Sequence, residues 1–98
     1  MIKHIVFWKL EENAGGQSKE ANFRVMKEKL EALVGIVPGL LSAQVGFNYN
    51  GGDFDAALVS ELESREALEA YRVHPAHKEV QKFVHSVICG RTAVDFEC

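Results

Sequence analysis

Cysteine and proline are both scarce in this chain, with two of each in 98 residues. Cys89 and Cys98 form neither a CxxC pair nor a Cys/His ligand spacing, which argues against a disulfide framework and against structural zinc. No apolar run approaches the roughly 18 residues needed to span a bilayer. An excess of basic charge is also missing. The net charge is −3, with Lys and Arg scattered among Asp and Glu, so there is no basic patch of the kind that nucleic acid or an anionic membrane would need. The opening MIKHIVFWKL has no basic start, continuous apolar stretch or small-residue cleavage site, unlike a signal peptide. The expectation is a cytoplasmic protein with reduced thiols.

What is present is enough for one domain. The apolar fraction of 47% is ordinary for a globular chain. Residues 2–10 alternate: Ile2, His4, Val6, Trp8 and Leu10 share one face of a strand, and Ile5 and Phe7 lie on the other between Lys3 and Lys9. Both faces are apolar at the centre, so the strand should be covered on both sides. Glu11 to Gln17 reads as a polar loop with Gly15-Gly16 at its tip. Ser18 caps a helix whose stripe of Phe23, Met26, Leu30, Leu33 and Val37 runs to Gly35 and Pro38-Gly39. Strands over Leu40–Tyr49 and Phe54–Leu62 flank a loop rich in Asn and Gly. Ser64 starts a second helix, Gly90 stops a third, and Thr92–Cys98 forms the last strand.

Between the last two helices lies Tyr71-Arg72-Val73-His74-Pro75-Ala76-His77. Pro75 cannot continue a helix but is well suited to begin one, so the stretch predicts a corner at His74. It gathers a phenol and two imidazoles, the best acid–base groups the chain has near neutral pH. His77 shares a stripe with Val80, Val84 and Val87 and faces the sheet. It reads either as a buried histidine bonded to a neighbour or as an acid–base group in a pocket. His4 and Tyr71 carry the same two readings, the structural one for His4 being a mutual hydrogen bond with His77. His74 fits the corner, and His85 lies off the apolar stripe.

The order β-α-β-β-α-β is the split βαβ of a ferredoxin-like α+β fold, a four-stranded sheet with its helices on one face. Two such sheets packed face to face would cover Ile5 and Phe7 and close a dimeric α/β barrel, so a two-fold homodimer is expected.

The opening I-K-H-I-V-F, the P-G-L followed by V-G, E-L-E-S-R-E-A-L-E-A-Y, H-P-A-H and the closing V-D-F-E resemble the stress-responsive A/B barrel (Dabb) family over nearly the whole chain. The resemblance implies a ferredoxin-like dimeric barrel. One plant member is a cofactor-free polyketide cyclase that closes an aromatic ring by aldol condensation. Its catalytic tyrosine and the second histidine of its H-P-A-H match Tyr71 and His77, and a pocket histidine on its first strand matches His4. A fourth histidine falls near Ala56 and has no counterpart here. The resulting expectation is an apolar pocket walled by Val6, Trp8, Phe23, Met26, Leu30 and Val84. In it His77 would be the base, with Tyr71 and His4 as polar partners acting on a small carbonyl compound, and no cofactor or metal. A non-catalytic binding or assembly protein, or the monooxygenase or haem chemistry of related barrels, are the alternatives.

Overall fold

In a computed structural model covering residues 1–98, β1 (Ile2–Leu10) leads into a small hairpin of β2 (Asn13–Ala14) and β3 (Gln17–Ser18). Then follow α1 (Lys19–Glu31), β4 (Leu40–Phe47), β5 (Ala56–Leu62), α2 (Arg65–Val73), α3 (Pro75–Val87) and β6 (Ile88–Glu97). The main sheet runs β4-β5-β1-β6 with every neighbouring pair antiparallel. This is the ferredoxin-like arrangement, and the helices lie on one face of it. No helix is long and apolar enough to cross a membrane.

The alternation of β1 holds throughout: Ile2, His4, Val6, Trp8 and Leu10 are buried beneath the helices. The caps are where the side-chain chemistry puts them. Ser18 accepts a hydrogen bond from the Ala21 N–H at 3.2 Å, and Ser64 one from Ala67 at 3.1 Å. At the corner, α2 ends at Val73 and α3 begins at Pro75. His74 between them caps α3 with its own ring, Nδ1 accepting from the Ala76 N–H at 3.1 Å.

Several boundaries differ from the sequence reading. The loop after β1 contains a hairpin, because Gly15 and Gly16 both take the positive φ that a tight two-residue turn demands. α1 ends at Glu31 rather than at Gly35. Its last turns tighten through bonds from Leu33 to Leu30 and from Val34 to Glu31, so Leu33 and Val37 are buried from a turn rather than from the helix. β4 and β5 are trimmed to Phe47 and Ala56, since Asn48 folds back on the loop and donates to the carbonyls of Gly51 and Phe54. Gly90 does not stop α3. The chain passes straight from Val87 into β6, and Gly90 pairs with Lys9 beside a bulge in the ladder. Gly39 is required twice over: its φ is +84°, and a β-carbon there would stand 2.7 Å from that of Ala67.

Helical cover is uneven. β1, β4 and β5 all carry buried residues, whereas no residue of β6 is buried. The outer face of the sheet is bare across three strands, where Ile5 sits between Val59 and Val94. Phe7, Val59, Val94 and Phe96 are 40%, 41%, 56% and 44% exposed there. The sheet edge at β4 is fastened instead by α1, as Glu31 accepts from the Val45 N–H at 2.9 Å and Lys27 donates to the Val45 carbonyl at 2.8 Å.

Asn22 is a polar member of the buried face of α1, unforeseen in the apolar stripe. Its amide donates to the carbonyls of Ala14 and Gln17, at 3.1 and 3.4 Å, tying the hairpin to the helix. Asn22→Ala should lower stability by about 1–3 kcal/mol, the cost of unpaired buried carbonyls. Asn22→Asp should cost more, because it offers acceptors to acceptors. Denaturation midpoints check the order.

Candidate active site

The uncovered strand opens a cavity of about 420 Å³ between the sheet and the α2–α3 corner. Each wall follows from a periodicity. β1 contributes His4, Val6 and Trp8, and β6 supplies Ala93 and Arg91 directly opposite the last two. α3 presents His77, Gln81, Val84 and His85, one turn and two turns apart on a single side. Tyr71 and Arg72 come from the end of α2, and Leu30 and Leu58 from beneath.

Three of the expected side chains meet here. Tyr71 lies between the two histidines, its ring centroid 4.0 Å from that of His77 at a 33° tilt and 6.2 Å from that of His4, edge to face. Burial raises the Tyr71 phenol to about 12, and its hydroxyl makes no hydrogen bond within the chain. His77 is only 7% exposed, and its Nδ1 is sealed from solvent without a hydrogen-bond partner. The Arg72 backbone lies close enough to favour the charged ring but completes no hydrogen bond. Desolvation outweighs it and, helped by charge on His4, Arg91 and His74, holds His77 below the ordinary 6.5.

His4 is not bonded to His77. Its Nδ1 meets the Asp95 carboxylate, which stands directly opposite it in the β1–β6 register. The other oxygen of Asp95 accepts from Arg72 at 2.8 Å, and Arg72 also reaches Glu69 at 3.4 Å. Asp95 thus fixes which edge of His4 turns to the cavity. The sequence reading missed Asp95, Arg72, Gln81 and Arg91. The i+4 spacing from His77 signals Gln81, and alternation puts Asp95 on the face of Ala93. Only the strand register, however, brings it to His4.

Two expected wall residues are not in the cavity. Met26 is fully buried in the core, and Phe23 packs edge to face against Phe47 of β4 with centroids 5.0 Å apart. Both lie one turn or more before Leu30 on α1, over the β4 side of the sheet, while the cavity is at the β6 side. No group of three or more His, Cys, Asp or Glu side chains converges as metal ligands would.

A buried, unpaired imidazole has a pH signature. The folded state resists protonating His77, so the unfolded chain binds more protons below about 6.5 and stability falls as pH drops through that value. His77→Leu removes this loss. Its unfolding midpoint relative to the native sequence should improve steadily from pH values above 6.5 to those below it. Parallel pH dependences in the two proteins would mean that His77 is not held neutral.

The profile of the Stress Responsive A/B Barrel Domain (Dabb) matches residues 2–98. Among curated proteins no sequence match is found. A dimeric ferredoxin-like protein of unknown function from Bacteroides fragilis is 31% identical, with 99% of this chain and 95% of that one aligned at a TM-score of 0.88. A Dabb family protein from Mesorhizobium loti is 19% identical over 99% and 95% of the two chains, with a TM-score of 0.76. The hydroxynitrile lyase of Passiflora edulis has the same fold at 16% identity, covering 97% and 90%, with a TM-score of 0.80. From its second residue to its last, the chain belongs to the stress responsive A/B barrel (Dabb) family.

Proposed function

We propose that the chain is a cofactor-free acid–base enzyme acting on a small carbonyl compound, and that it works as a homodimer joined through the bare sheet face. The observation that carries the reading is His77: a neutral imidazole in a desolvated wall, stacked on a tyrosine whose hydroxyl is uncommitted. A base is most useful when it is unprotonated at working pH and already stripped of water. With Nδ1 sealed in the wall, Nε2 is the edge left to take a proton from carbon beside the carbonyl. Electrons from that C–H bond move onto oxygen, and the un-ionised Tyr71 donates a hydrogen bond to the enolate that forms. His4, braced by Asp95, is a second imidazole from which a proton can be returned. Val6, Trp8, Leu30 and Val84 make an apolar floor of the kind that orients a small ligand. Two exposed, unpaired cysteines suit the reducing cytoplasm.

The dimer rests on the apolar outer face of β1, β5 and β6, and neighbours of the same fold are described as dimeric. The native chain should be a dimer at micromolar concentration by light scattering. Phe7→Glu should leave monomers, since an unpaired charge buried in the interface costs several kcal/mol. A monomeric native chain would end the barrel argument.

Activity is tested by deuterium exchange from solvent into the methyl group of acetophenone, followed by proton NMR. The native protein should exceed buffer, and His77→Gln and Tyr71→Phe should each lose about a hundredfold or more of that rate. A native rate equal to buffer, or variants as fast as the parent, would leave a binding protein rather than an enzyme.

A further inference from the structure

Charge in the cavity wall has one sign. Arg72 and Arg91 line it and no Asp or Glu does, the Asp95 carboxylate being taken up by His4 and Arg72, although the chain holds 14 acidic residues against 11 basic ones. Arg72 is already committed to Asp95 and Glu69. Arg91 is exposed at the mouth and enters no ion pair within the chain. It stands directly across from Trp8 on the helix side of the sheet, near enough to His77 to act on its charge.

Its position along β6 sets a length. Arg91 and Asp95 are four residues apart on the strand, roughly 13 Å at the usual rise. Asp95 marks the His4 end of the site, and Val6 and Ala93 form an apolar stretch between the two. Arg91 and His4 therefore sit at opposite ends of one small cavity, and His77 lies near enough to feel the charge of both. The other nearby element able to hold an anion, the start of α3, is closed. Pro75 has no N–H, and that of Ala76 is taken by His74. What remains is a single guanidinium fork, which matches the two oxygens of one carboxylate.

We propose that the site takes a small oxo acid, its carbonyl at Tyr71 and His77 and its carboxylate, a few carbons away, held by Arg91. This names the substrate class of the proton-transfer site and rests on that reading. In the bound molecule the carboxylate takes no part in bond making. It fixes which carbon meets His77.

The probes are benzoylpropionate, an aryl ketone whose carboxylate is two methylenes away, and its methyl ester, which has the same skeleton without the charge. Calorimetry should show the native protein binding the acid about tenfold or more tighter than the ester, the worth of one charge-assisted pair. Arg91→Gln should abolish that preference by weakening acid binding to the level of the ester, and Arg91→Lys should keep part of it. Arg91 is exposed on an edge strand, so neither change disturbs the core. Equal affinity for acid and ester, a preference that survives Arg91→Gln, or no binding of either probe would overturn the proposal. Deuterium exchange beside the ketone in the same samples separates the two readings. Preference for the acid without exchange keeps the carboxylate site and removes the chemistry. Exchange of both probes at matched affinity does the reverse.

Discussion

The site depends on a shortage of cover. The helices lie over β4, β5 and β1, where every buried side chain of the sheet is found. β6 completes the hydrogen bonding of β1 but receives no roof. A closed core would need large apolar residues on its inner face. Instead that face carries Arg91, Ala93 and Asp95, and the gap above Ala93 is the cavity. The core, with Met26 and Leu62 completely buried, lies beside the site, and Val6 and Leu58 belong to both.

That arrangement lets stability and the polar lining of the cavity be supplied by different residues. The polar groups at the site are incompletely satisfied, an unpaired His77 nitrogen and a phenol with no partner in the chain, and a buried unpaired group costs about 1–3 kcal/mol. The well-packed sheet interior and the capped helices can carry such a cost. Asp95 is the member that belongs to both sides: it orients His4, and through Arg72 it ties the last strand to the end of α2.

Much of this was legible in the sequence because it depends on local rules. Alternation in β1 put His4, Val6 and Trp8 on one face, Ser18 and Ser64 announced their helices, and Pro75 fixed the corner that brings Tyr71 beside His77. What was not legible depends on pairing and phase. Asp95 reaches His4 only because β6 lies antiparallel to β1 in one register, which nothing local in V-D-F-E specifies. Phe23 and Met26 share a stripe with Leu30, and periodicity alone assigns all three to one wall. A helix crossing a sheet meets different strands along its length, and only its last buried turn reaches the cavity. Gly90 looked like a helix stop because glycine so often is one; here the strand ladder took the chain over two residues earlier.

β6 also has an evolutionary consequence. Its inward positions 91 and 93 face the solvent-open cavity, and neither is buried. Substitutions there escape the penalties that attend changes in a packed core. A single unroofed edge strand thus gives a small fold a row of positions that can be rewritten for new ligands while the imidazoles and the phenol stay where they are.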